Sequence, residues 1–256
     1  MVKYTKIILE KKDGVAHLTI NRPEKLNAMD HDTRMQIMSA VDEANKDRSI
    51  GCLVLRGAGE RAFSAGQDIS ETTSFTDKNV KLWMKDWDEL YAKIGGTDIA
   101  TVAAINGVAT GAGLQVALVC DIRIATTQSK FGMSEINIGI PCITGTALLV
   151  PIVGIGNAIP MVLTGELIPA SDALRIGLVH HLVEPSAFNQ TVHELANKLA
   201  SKPKTATSLD KLWFRKFTQR HLEDAIEFGT KAHSKAFVTG EPQKLMEAFL
   251  QRRKSK

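Results

Sequence analysis

The sequence predicts an α/β fold whose last third is helical, and three observations carry that prediction. Short apolar, β-prone runs recur at Cys52–Arg56, Thr101–Ile105 and Ile122–Ala125, the pattern of buried strands. Helical periodicity lies between them. After a last strand pattern at Leu178–Leu182, only helical spacing follows, over Lys204–Phe217, Leu222–Val238 and Lys244–Arg253. At 256 residues and 44% apolar, the chain has enough material for one large core or a core with a small appendage.

Taken in order, Lys6–Glu10 and Val15–Asn21 flank Lys12-Asp13-Gly14 and predict a hairpin. Asn21-Arg22-Pro23-Glu24-Lys25 breaks the second strand. A helix follows from the N-cap Asp30 to Lys46, with Met35, Met38 and Val41 on one face. Gly57–Glu60 turns the chain after Cys52–Arg56, and Ala62–Ile69 is a tight loop of small residues around Gly66. Glu71–Asn79 is polar and is expected to be mobile. Val80–Ile94 is an amphipathic helix with Trp83, Met84, Trp87, Leu90, Tyr91 and Ile94 at helical spacing. Such an aromatic stripe serves a core, or walls a pocket with Trp83 and Trp87. Thr146–Val153, Asn157–Leu163 and Ser171–Ile176 are helical. The apolar faces of the last helices, marked by Leu212, Trp213, Phe237 and Phe249, must pack on the core or on another subunit.

The chemistry concentrates between Ala104 and Pro141. Behind the strand Thr101–Ile105 come an Asn106-Gly107 turn and Thr110-Gly111-Ala112-Gly113, then the apolar, helix-tolerant Leu114–Cys120. Small residues at a buried helix start expose backbone N–H groups to a ligand, and the helix dipole favours negative charge there. A lone carboxylate, Glu135, follows. The stretch can hold an oxyanion with a base beside it. The Gly66 loop, also placed after a strand and turn, can supply a second N–H. Neither Gly111–Val116 nor Gly154–Ile159 completes a dinucleotide fingerprint, and no P-loop motif occurs.

The net charge of +4 is scattered, with one basic cluster at Gln251–Lys256, either a solvated tail or a contact for anionic phosphate; no nucleic-acid partner is expected. Cys52, Cys120 and Cys142 fit reduced, packed thiols. The N-terminal stretch has no secretory pattern and no run reaches transmembrane length, so a cytoplasmic protein without membrane contact is expected. The seven histidines form no metal-binding spacing, and no metal is expected.

Asn21–Ala28, Ala62–Ile69, Ala104–Asp121, Phe131–Pro141, Met161–Gly165 and Ala173–Val179 together resemble the crotonase superfamily, best known for enoyl-CoA hydratases and isomerases. The resemblance covers nearly the whole chain. It implies a spiral of ββα units over 1–200 that binds acyl-CoA, and a helical C-terminal trimerisation region over 201–256, in a homotrimer or a hexamer made of two trimers. The thioester of coenzyme A is then the substrate, and no cofactor is implied. Carried over, the oxyanion donors are the N–H groups of Gln67 and Ala112, each worth about 3–4 kcal/mol in the transition state. Ala65, Gly66 and Gln67 fall on the backbone that binds adenine, Lys25 and Leu26 on positions lining the CoA site, and the tail near a neighbour's CoA phosphates.

Two departures bear on the reaction. Hydratases of the superfamily hold water between two glutamates; here the later is Glu135, but the earlier position is Gln115. Glutamine can bind water but cannot exchange a proton at neutral pH. Isomerases use one glutamate at the Glu135 position, so double-bond isomerisation is slightly favoured over hydration by a water held on Gln115. A non-catalytic acyl-CoA-binding scaffold is the alternative of another class. The second departure is Pro141-Cys142-Ile143-Thr144-Gly145, bulkier than the family's glycine-rich stretch, which alters the acyl floor around Cys142. Asp68 is expected to stabilise its loop.

Overall fold

The computed structural model describes residues 4–254, apart from the side chains of residues 218–220, 253 and 254. The end of the basic tail, Ser255 and Lys256 with the side chains of Arg253 and Lys254, lies outside the described residues.

β1 (Ile7–Lys12) and β2 (Val15–Ile20) form the expected antiparallel hairpin. Asp13 and Gly14 at its tip both have positive φ (52° and 80°), the mirror-image turn that matches strand twist. α1 (His31–Lys46) begins where Asp30 accepts a hydrogen bond from the Thr33 amide at 2.9 Å, the expected cap. The chain then repeats one unit. β3 (Cys52–Gly57) and β4 (Ala62–Ser64) lead to α2 (Ile69–Thr72) and α3 (Asp77–Gly95). β5 (Ala100–Ile105) and β6 (Val108–Thr110) lead to α4 (Ala112–Leu118). β7 (Ile122–Thr126) and β8 (Lys130–Gly132) lead to a 3-10 turn over Glu135–Ile138. α5 (Ile143–Val153), α6 (Ile155–Thr164), β9 (Ile168–Pro169), α7 (Ala170–Arg175), β10 (His181–Val183) and α8 (Pro185–Ala200) follow, before the long α9 (Lys204–Val238) and α10 (Glu241–Lys254).

In each unit the first strand joins a six-stranded sheet, ordered β1-β2-β3-β5-β7-β10, and the second a four-stranded sheet, β4-β6-β8-β9. Pairing is parallel except at β1–β2 and β8–β9. The chain therefore winds from one sheet to the other once per unit, the expected ββα spiral. The corner between β3 and β4 is held by the fully buried Asn27, whose amide donates to the carbonyls of Ala58 (3.0 Å) and Ala62 (2.8 Å). The Asn21–Ala28 segment thus fixes the first turn of the spiral.

Strand side chains alternate between two apolar layers. Leu53, Leu55, Ala103 and Ile105 face the main core between the sheets and the helices. Cys52, Val54, Val102 and Ala104 face outward, where Phe188, Val192 and Ala196 of α8 cover them. Both faces of the large sheet are therefore dry, as its continuous apolar strands require.

Several elements differ from expectation. Residues 71–79 are not a mobile loop: they hold the end of α2 and the start of α3, with Thr72 buried and Phe75 against Trp83. The polar sequence hid two caps, Asp68 for α2 and Thr76 with Asn79 for α3. Lys204–Phe217 and Leu222–Val238 form one continuous helix, because no proline or glycine interrupts the polar stretch between them. The last strand begins at His181, not Leu178. α8 goes beyond the elements expected from the sequence, although Phe188, Val192 and Leu199 share one face; β6, β8 and β9 are too short to show a period.

The C-terminal helices do more than append to the core. α9 packs along α3 and α5, and Phe237 and Met246 join the main core. The other face of α9 leaves Leu212, Trp213, Phe214 and Phe217 exposed.

Candidate active site

The Gly66 and Gly111 loops follow equivalent short strands of the small sheet, β4 and β6, which pair in parallel and so bring the two loops side by side. Gly66, at φ 90°, is the point of closest approach. A Cβ there would lie 2.9 Å from the Thr110 carbonyl oxygen and 3.0 Å from the Ala112 nitrogen. Gly111, at φ 54° and ψ −134°, turns the chain into α4 in a conformation open to glycine. Gly113 lets the first turn of α4 lie against the Ser64 backbone.

Both expected donor amides are available. Met29 donates its N–H to the Gly66 carbonyl (2.7 Å) and accepts from the Asp68 amide (3.1 Å), the alternation of a parallel bridge, which turns the Gln67 N–H away. Ala112 opens α4, where the amides of the first turn have no intrahelical acceptor. Among the described residues, neither amide has a backbone acceptor.

Glu135 lies under the same loop. A Cβ on Gly111 would stand 3.6 Å from its carboxyl carbon. Gln115 donates from Nε2 to Glu135 Oε1 at 2.6 Å, while Gln115 Oε1 accepts from the Tyr91 hydroxyl at 2.9 Å. Glu135 Oε2 is buried with no hydrogen-bond partner. Burial raises the Glu135 carboxyl above the ordinary carboxylate range; its own backbone N–H, the Cys142 thiol and Gln115, in that order, only partly oppose it. Cys142 sits against this carboxyl, and burial together with the Glu135 charge pushes its thiol well up, so it keeps its proton.

The other wall is built around the Gln67 side chain. Its Oε1 accepts from the indole N–H groups of Trp83 (2.9 Å) and Trp87 (3.2 Å) and from the Arg34 guanidinium (3.1 Å). Its Nε2 donates to Glu71 Oε2 at 2.6 Å. Arg34, only 1% exposed, also pairs with Glu71 and Asp86 and lies over the Trp87 ring, 5.0 Å from its centroid. Asp68 stabilises the loop as expected: it caps α2 and accepts from Arg22 at 2.9 Å.

These walls enclose one cavity of about 670 Å³, lined by every sequence-predicted site residue except Gly66, which joins the loops behind it: Lys25, Leu26, Ala65, Gln67, Trp83, Trp87, Ala112, Gln115, Glu135 and Cys142. The structure adds Tyr91, Thr110, Ser134, Thr144 and, from α9, His233. Tyr91 was within reach of the sequence, since Trp83, Trp87 and Tyr91 recur every four residues on α3. Arg34 and His233 had no such signal. A shallower hollow of about 380 Å³, between α1, α3 and Arg215, carries none of this chemistry. Among the described residues no three His, Cys, Asp or Glu side chains gather as a metal site, and no helix is long and apolar enough to cross a membrane.

A carboxylate without a charge partner is thus set beneath two amides that lack a backbone acceptor, in a largely apolar cleft. Residues 10–256 match the enoyl-CoA hydratase/isomerase family model, and the chain belongs to that family, within the crotonase superfamily. It is 36% identical to the short-chain-enoyl-CoA hydratase of Clostridium acetobutylicum, over 97% of this chain and 95% of the relative. It is 34% identical to the crotonyl-CoA hydratase of Syntrophomonas wolfei subsp. wolfei, over 98% of this chain and 97% of the relative. A solved enoyl-CoA hydratase/isomerase of Xanthobacter autotrophicus Py2 superposes with a TM-score of 0.89 at 27% identity, covering 98% of this chain and 94% of that one.

Proposed function

We propose that the cleft binds an acyl-CoA thioester and stabilises its enolate, with Glu135 as the single acid–base group and the Gln67 and Ala112 amides as the oxyanion donors. In this reading Lys25, Leu26 and Ala65–Gln67 hold the CoA portion, and Trp83, Trp87 and Cys142 bound the acyl group. Residues 1–200 are the catalytic spiral, and residues 201–256 use the exposed apolar face of α9 to form a trimer or a pair of trimers. We place the enzyme in the cytoplasm.

The reaction proposed is migration of a double bond. Glu135 Oε2 takes a proton from C2 of a 3-enoyl thioester. The electron pair moves onto the thioester oxygen, where the two amides meet the developing charge. The protonated Glu135 returns the proton at C4 as the electrons flow back, giving the 2-enoyl product with no net gain or loss. Burial suits both halves: it strengthens the base and keeps its acid form within reach of neutral pH.

One observation favours this over hydration. Gln115 gives its Nε2 to Glu135 and spends its Oε1 on Tyr91, so it offers an incoming water no basic acceptor. Hydration, with water held by Glu135 and the remaining Gln115 N–H, is the second reading. It is supported by relatives named as hydratases. Incubation with 2-enoyl- and 3-enoyl-CoA in D₂O separates the two: double-bond migration or deuterium uptake without water addition is expected, whereas water addition to the 2-enoyl thioester establishes hydration. Glu135→Gln is expected to cut turnover roughly 10²–10⁴-fold with CoA binding retained. Tight binding with no proton exchange in the wild type would instead mark a binding scaffold.

A further inference from the structure

The acyl wall contains a titratable group with no part in that chemistry. His233 lies in the middle of α9, is only 5% exposed and lines the cavity. Its ring stands edge-on to Trp83, with centroids 5.5 Å apart. Nδ1 lies 2.6 Å from the Gly229 carbonyl oxygen, one turn back on the same helix. A carbonyl only accepts, so Nδ1 carries the proton. Burial pushes His233 below the ordinary imidazole range, which keeps the ring neutral at physiological pH. A neutral ring with its proton on Nδ1 has a bare lone pair on Nε2, and no hydrogen bond from a described residue reaches that atom.

The neighbouring turn of α5 repeats the pattern. Ile143 packs on α9 there: a Cβ at Gly229 would meet the Ile143 Cβ at an ordinary 3.5 Å. The next residue, Thr144, also lines the cavity and has a buried hydroxyl with no hydrogen-bond partner. An apolar acyl chain would leave both groups unsatisfied, which is costly in a dry pocket. A core histidine needed only for packing would be served as well by phenylalanine.

Building on the reading of this cavity as the acyl site, we propose that His233 is a specificity-determining residue whose Nε2 accepts a hydrogen bond from a hydroxyl group carried on the acyl chain beyond the reacting carbons. The substrate class is then a hydroxylated acyl-CoA rather than a plain hydrocarbon chain. The Thr144 hydroxyl offers a second polar contact on the same wall.

The test uses saturated acyl-CoA thioesters, which no base can isomerise, so binding is read apart from catalysis. Each chain length is prepared in pairs that differ only by hydrogen or hydroxyl at one carbon, and calorimetry gives the dissociation constants. At one position the hydroxyl is expected to tighten binding to the wild type roughly 10-fold or more. His233→Phe is expected to abolish that preference, so that the two members of each pair bind alike within about twofold. His233→Gln, whose amide oxygen still accepts, is expected to keep part of it and serves also if the phenylalanine variant fails to fold. A hydroxyl that tightens binding at no position, or a preference that survives both substitutions, would overturn the proposal while leaving the acyl site intact. Failure of every acyl-CoA to bind would remove the acyl site and this inference together.

Discussion

The two loops that carry the Gln67 and Ala112 amides share main-chain anchoring but differ in how far side chains brace them. The Gly111 loop is held by main chain: Gly111 donates to the Gly132 carbonyl at 3.0 Å, and its own carbonyl accepts from the Gln115 amide at 3.0 Å, inside α4. The Gly66–Gln67 loop also has main-chain bonds, from Ala65 to Leu26, Met29 to Gly66 and Asp68 to Met29, and adds a network of side chains. Arg22 reaches Asp68, and Arg34, Trp83 and Trp87 all reach Gln67 Oε1. The first amide is therefore placed by the sheet and helix themselves. The second is placed by main chain together with a side-chain network that can lose members one at a time. Equivalent roles in one cleft thus have different sensitivities to mutation.

The strongest way to break this comparison is Gly111→Ala. The residue would have to occupy a positive-φ conformation reserved for glycine, at about 1–3 kcal/mol. Its methyl would stand in ordinary contact with the Glu135 carboxyl, 3.6 Å from the carboxyl carbon. A loss of kcat of roughly 10²–10³-fold is expected, comparable to losing an oxyanion donor. Retention of most activity would show that the main-chain turn is not what sets the amide. Gln67→Ala is the matching cut on the other side. The amide remains, but two indole N–H groups and a guanidinium lose their acceptor, which costs about 1–3 kcal/mol of stability. A fall in kcat of only about 10-fold is expected, because Met29 still bridges the loop through backbone hydrogen bonds. An equal loss in both variants would erase the distinction.

The same contrast governs what was legible in the sequence. Gly66 and Gly113 mark close approaches of backbone and Gly111 a positive-φ turn, and each is visible as a glycine in a run of small residues. The spiral was likewise legible through the apolar runs at β3, β5 and β7, once the resemblance supplied their order. The network around Gln67 was not. Trp83 and Trp87 carried a pocket reading, but the charged members at positions 34, 71 and 86 carried none, and the packing of α1 against α3 brings them together. His233 was hidden for a related reason: a histidine inside a long helical pattern carries no mark of which face meets a cavity. The expected loop at 71–79 failed because its polar residues are caps, a role that depends on neighbours not apparent from polarity alone.

A smaller effect sharpens the comparison through pH. On and beside the Gly66–Gln67 loop the acids are matched. Burial pushes Asp68 up, but hydrogen bonds from Ser70 and Arg22 outweigh it and leave the carboxyl below its ordinary value. Asp30, bonded to Lys6 and Thr33 against the same penalty, is lowered to about 2. Groups depressed in this way stabilise the fold above their unfolded pKa, and that contribution is lost as pH falls through the folded value. Glu135 has the opposite sign. Its carboxyl is raised on folding, so the folded chain holds the proton more tightly than the unfolded one, and stability is lost as pH rises from the unfolded pKa through the folded one. Glu135→Gln removes the buried charge while keeping an oxygen that can accept from Gln115. The variant should therefore melt at a higher temperature than the wild type at pH 8, with the gap closing as pH drops below the ordinary carboxylate range. Asp68→Asn should do the reverse, melting lower at pH 8 and converging with the wild type in acid. Thermal melts across that range check both signs at once. If Glu135→Gln melted no higher at pH 8, the carboxylate would be stabilised by its surroundings in the resting enzyme, and burial would not be what tunes this base.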